Sequence, residues 1–134
     1  MKKLLIVFVL FLCAVASIPP LSAQNNTTRF FFAYDYENIT IDNTAGGKGF
    51  TASKIRNSSN SVETAQLVTF TIYCASGTDC PIRFTLDGTA PTTSVGMRAI
   101  YGQSVSIYAL VNIEAFRAIR EGATSAVINV TYFR

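Results

Sequence analysis

The stretch Ile82 to Gly96, IRFTLDGTAPTTSVG, constrains the chain most, because it fixes a strand, the face of that strand that is buried, and the turn that ends it. Ile82, Phe84 and Leu86 hold alternate positions with Arg83, Thr85 and Asp87 between them, the period-2 pattern of a strand with one face in a core. Asp87-Gly88 then turns the chain, since Asp bonds its own backbone two residues on and Gly accepts positive φ. Pro91 drives Ala90 toward extended geometry before the polar run Thr92-Thr93-Ser94. Asp87, Gly88, Thr89, Pro91 and Gly96 thus form a signature turn whose expected role is structural.

The same alternation recurs in both directions. Phe30, Phe32, Tyr34 and Tyr36 share one parity, and the apolar positions then switch to Ile39 and Ile41, which places a bulge or a second pairing near Glu37-Asn38. These aromatic residues are expected in the core rather than in a ligand platform. A short strand is expected at Phe50 to Ile55 and a longer one at Thr64 to Cys74, with Val68, Phe70, Ile72 and Cys74 inward. Strands at Cys80 to Leu86, Val95 to Ile100 and Gln103 to Tyr108 follow. Asn112 to Glu121 has helical spacing after a possible Asn112 cap, but a single turn and then an extended FRAIR segment suits the surroundings better. Ser125 to Arg134 closes the chain with Ala126, Ile128, Val130 and Tyr132 on one face. About eight short strands separated by turn signals define an all-β protein, an antiparallel β-sandwich or jelly roll with at most one helical turn.

Residues 1–23 stand apart from this pattern. Lys2 and Lys3 precede an apolar run from Leu4 to Ile18, Pro19-Pro20 breaks it, and Leu21-Ser22-Ala23 is a small-residue cleavage pattern ahead of Gln24. A signal peptide is expected here rather than a membrane anchor, because the run is short for a span of about 20 residues. Cys13 lies inside the run behind Leu12, which does not suit a lipoprotein signal. The expected product is one domain over 24–134, secreted, periplasmic or extracellular, with no membrane attachment after cleavage.

Taking Lys2 and Lys3 from the 11 Lys plus Arg leaves 9 against 8 Asp plus Glu, a net charge of +1. No basic stripe remains, so nucleic acid is not an expected partner. Cys74 and Cys80 form an even pair in an exported chain and are expected to make a disulfide closing a hairpin. The spacing CASGTDC is not that of a redox-active pair.

The chain has no histidine, which removes the commonest general base and transition-metal ligand together. Asp35, Asp87, Glu114 and Glu121 have no spacing that pairs them, and the serines lack both a base and a GxSxG elbow. Asp87, Thr89 and Thr92 offer one charge among them, too few for Ca2+, and Asp42 to Phe50, DNTAGGKGF, lacks the spacing of a phosphate loop and is expected as a flexible hairpin loop. No enzyme activity, cofactor or metal is expected. Asn-x-Ser/Thr triplets at Asn25, Asn26, Asn38, Asn57 and Asn129 matter only in a host that glycosylates.

The C-terminal half, Leu67 to Arg134, resembles a group of small β-sandwich proteins of tailed phages and prophages through LDGTAPT at Leu86 to Thr92, Val95-Gly96, NIEAFRAIR at Asn112 to Arg120 and the closing AVINVTYFR. The likeness extends upstream to IDNTAGGKGFTASKI at Ile41 to Ile55. It implies a virion-associated or structural role, carried out through self-association or contact with other structural proteins. The signal peptide and cysteine pair depart from that group. The DGT-x-PT turn is also similar to that of chitobiase-type C-terminal β-sandwich domains, which implies the alternative of a carbohydrate-binding or accessory cell-surface module, with surface glycans as partners and Tyr101 and Tyr108 on its surface.

Overall fold

The alternating segments build two antiparallel sheets. A computed structural model describes residues 29–56, 64–75, 77 and 79–134; the expected signal peptide lies outside the described residues. Strands β1 (Ala33–Ile41), β7 (Ala126–Phe133), β2 (Leu67–Tyr73) and β5 (Ser104–Tyr108) form one sheet in the order β1-β7-β2-β5. Strands β4 (Met97–Ala99), β3 (Ile82–Thr85) and β6 (Arg117–Arg120) form the other in the order β4-β3-β6. Two short helices, α1 (Ala52–Ile55) and α2 (Leu110–Ala115), complete the described elements.

The core lies between the sheets because the inward parities of the strands agree. Val68, Phe70 and Ile72 of β2 and Ile128, Val130 and Tyr132 of β7 are buried opposite Ile82 and Phe84 of β3, Ala99 of β4 and Ala118 of β6. Phe50 and Phe116 stack at 4.1 Å between ring centroids and both lie against Phe70, filling the space that the three-stranded sheet leaves open. Burying each such ring contributes about 1.5–3 kcal/mol.

Several expectations are corrected. Phe50 to Ile55 is not a strand, so seven strands are described rather than eight, and two helical turns rather than at most one. Phe50 and Ile55 are both buried although their positions have opposite parity. A strand would expose one of them, whereas a helical turn brings both onto the core.

The bulge in β1 falls between Ala33 and Asp35, ahead of Glu37-Asn38. The aromatic run is therefore not in the core as expected: Phe30, Phe32 and Tyr36 are 76%, 67% and 77% exposed and Tyr34 is half-buried, while Glu37 turns inward. The Asp42 to Phe50 segment is no hairpin, since Lys48 pairs with Ala118 and the loop carries the chain to the second sheet. Asn112 does not cap α2; the cap position is Ala109, at φ 67°, and Asn112 Nδ2 donates to the Tyr108 carbonyl at 3.2 Å.

The largest correction concerns the cysteines. β2 is flanked on both edges by β7 and β5, which leaves no edge for β3 to pair with. The chain from Cys74 to Pro81 therefore passes from one sheet to the other. Cys74 and Cys80 keep their inward parity, are both buried, and lie at disulfide distance with Cα atoms 6.0 Å apart. They tie the two sheets together instead of closing a hairpin.

Candidate contact surface

The signature turn is a piece of scaffold. Asp87 Oδ1 accepts the Thr89 N–H at 3.0 Å, and the Thr85 hydroxyl donates to the Thr89 carbonyl at 2.5 Å. The Thr89 N–H, and then the Thr89 hydroxyl, hold the Asp87 carboxyl below the usual carboxylate range. Pro91 is buried beside Gly47, where a Cβ would meet the proline ring at 3.2 Å and the Ala118 backbone at 3.1 Å. Gly96, at φ 115°, lets the returning chain pass the Phe84 backbone, which a Cβ would meet at 2.9 Å. Asp87, Gly88, Thr89, Pro91 and Gly96 thus position β3 and β4.

The carboxylates are dispersed. Asp35 pairs with Lys54 at 2.7 Å, Asp42 lies 3.7 Å from Lys48, Glu114 pairs with Arg56, and Glu121 sits between Arg83 at 2.8 Å and Arg98 at 3.0 Å. The lysine and Tyr36 N–H hold the Asp35 carboxyl low, the Thr44 hydroxyl and N–H do so for Asp42, and Arg56 for Glu114. Glu37 accepts from the Thr51 N–H at 3.0 Å, the Thr51 hydroxyl at 2.6 Å and the Tyr132 hydroxyl. Burial first, and then this neighbouring carboxylate, push the Tyr132 phenol well above its ordinary value. Among the described residues, no three His, Cys, Asp or Glu side chains gather as a metal site, and no helix is long and apolar enough to cross a membrane.

What distinguishes the molecule is an asymmetry between its two open sides. On the side of β1 and β6 the edge of β6 is paired with a loop and that of β1 is bridged at Tyr36. Lys48 N–H donates to Ala118 O at 2.7 Å, Ala118 N–H returns the bond at 2.9 Å, and Arg120 N–H donates to Asp42 O at 2.9 Å. Lys54 lies over β1, its Nζ donating to Tyr36 O at 3.0 Å. Inward lysines and covering loops are how natural sheets block edge pairing.

On the side of β4 and β5, joined by the turn Ile100 to Gln103, that cover is missing. The Ile72 N–H donates to Gln103 O, so by strand alternation the backbone groups of Val105 and Ile107 face β2 and those of Ser104, Ser106 and Tyr108 face outward. Among the described residues these outward groups have one partner, the Asn112 amide on Tyr108 O. Val95, Met97, Ile100, Tyr101 and Tyr108 are all exposed along the same side. Sequence reasoning placed Tyr101 and Tyr108 at the surface but missed this side, because strand order decides which edges stay open.

The chain matches no family model, no curated protein and no solved structure.

Proposed function

We propose that the protein is an exported, non-enzymatic structural or assembly module that works through protein–protein contacts, as the phage-type β-sandwich proteins it resembles are expected to. The observation that carries this is the open β4–β5 side, where unpaired strand edges coincide with exposed apolar residues. A strand added to β5 satisfies the outward amides, and Ile100, Tyr101 and Met97 supply the apolar contact that makes such an addition selective. The partner is a second copy of the chain or another structural protein. Export is supported by the Lys2-Lys3 start, the apolar run and the Ala23-Gln24 junction, and by the inward cysteine pair, which suits an oxidising compartment.

Light scattering on the purified mature protein tests the proposal. The expected outcome is a mass that rises with concentration, and an Ile100→Lys variant that stays monomeric with an unchanged melting temperature. A wild-type chain that remains monomeric at high concentration, with no partner recovered by crosslinking, overturns it.

A further inference from the structure

The outer face of the four-stranded sheet, which meets the open β4–β5 side only at Tyr101 and Tyr108, has a composition that assembly does not explain. Its cross-strand rows are Ala33-Phe133-Leu67-Tyr108, Tyr36-Thr131-Thr69-Ser106, Asn38-Asn129-Thr71-Ser104 and Thr40-Val127-Tyr73. None of these side chains is charged. The opposite outer face, on β3, β4 and β6, carries Arg83, Arg98 and Arg117, and the pairs Lys48–Asp42, Lys54–Asp35, Arg56–Glu114, Arg83–Glu121 and Arg98–Glu121 lie away from the four-stranded face. A protein surface without charges across four strands is unusual, since exposed sheet positions commonly hold charged residues for solubility.

The polar groups on this face are ordered. Thr69 and Ser106 hydroxyls are 3.0 Å apart, Thr71 and Ser104 hydroxyls are 2.6 Å apart, and Asn38 faces Asn129 across the β1–β7 pair. They form two rows of neutral donors and acceptors. Tyrosines stand at their margins: Tyr36 at 77% exposure, Tyr108 beside Phe31 at one end, and Tyr73 with Tyr101, 6.4 Å between centroids, at the other. Strand geometry puts the two ends roughly 20 Å apart and the face about 14 Å across, or roughly 300 Å2 in projection. The face suits an extended chain of small units.

We infer that this face binds a neutral polysaccharide, laid across the Thr-Ser-Asn rows with sugar rings against the marginal tyrosines. Hydroxyls and amides both donate and accept, which matches sugar hydroxyls, and an aromatic ring packs against the apolar face of a pyranose. An anionic polymer or a nucleic acid finds no counter-charge here.

Affinity electrophoresis in gels containing hydroxyethylcellulose, xyloglucan, laminarin or α-mannan tests this, with alginate and polygalacturonate as anionic controls. Retardation by at least one neutral polymer, insensitive to salt, is expected. Thr71→Glu and Tyr36→Ala are each expected to weaken it by about tenfold, with melting temperature as the check on folding. Tyr36 is exposed, so its variant decides the matter should Thr71→Glu fail to fold. Ile100→Lys, on the assembly side, is expected to bind as the parent does, whatever its oligomeric state. Retardation by none of the neutral polymers, by the anionic ones alone, or equally for parent and Tyr36→Ala overturns the inference, as does loss of binding in Ile100→Lys.

Discussion

Gly88 and Gly96 both take positive φ, at 80° and 115°, yet only Gly96 has backbone in the way of a side chain. Ala at position 88 meets open space, so its cost is the backbone strain alone, about 1–2 kcal/mol. Gly96→Ala adds a 2.9 Å approach to the Phe84 carbonyl and shifts β4 against β3. Urea denaturation should show Gly96→Ala losing clearly more stability than Gly88→Ala; equal losses would mean the turn is not held against the sheet. Tyr132 makes a second test. Its phenol is raised above the ordinary value of 10.0 by burial and by Glu37. Above about pH 10 the unfolded chain therefore releases a proton that the folded one keeps, so stability is full below that pH and falls as pH rises. Tyr132→Phe removes this dependence, and its alkaline denaturation profile should be flatter than that of the parent. Identical slopes would contradict the buried phenol–carboxylate contact.

At the level of elements, the sequence was legible wherever one residue parity carried the burial. Val68, Phe70, Ile72, Ile82, Phe84, Ala126, Ile128, Val130 and Tyr132 are all buried as their alternation requires. The turn followed by the extended FRAIR segment is α2 and β6. Illegible were features set by partners distant in sequence. Alternation in β2 and β3 is the same whether they pair with each other or face each other across a core, so the hairpin could not be told from the crossover. The signature turn was readable because its chemistry is local; the open side and the neutral face were not, because both depend on the order β1-β7-β2-β5. The crossover gives the cysteine pair a different task, tying two sheets, but the loop it closes is as short as before. Mass spectrometry should find the mature chain starting at Gln24 and two hydrogens lighter than its reduced form. Reduction should cost about 2–3 kcal/mol and lower the melting temperature while leaving the β-sheet circular dichroism intact. Two free thiols in the undenatured, unreduced protein would contradict the inward placement of both residues.

For the whole molecule, the two sheets differ in how they meet their surroundings. On one side of the sandwich Asp42 to Lys48 pair with the β6 edge and Lys54 bridges β1 at Tyr36, and the other side leaves β5 exposed next to apolar side chains. A long-lived soluble monomer has reason to cover such an edge, and an assembling one has reason to leave it. Proposed assembly through this side and proposed glycan binding through the neutral face use surfaces that adjoin at Tyr101 and Tyr108, with the Thr-Ser-Asn rows clear of the assembly contacts, so assembly presents the polysaccharide-binding faces in a multivalent array. Amide hydrogen exchange, followed residue by residue over a range of protein concentrations, tests the central claim most directly. The account predicts that the Ser104, Ser106 and Tyr108 amides exchange rapidly in dilute solution and become protected as concentration rises, while Val105 and Ile107 are protected throughout. Ser104, Ser106 and Tyr108 amides that exchange equally fast at every concentration, with or without a crosslinked partner present, would contradict it.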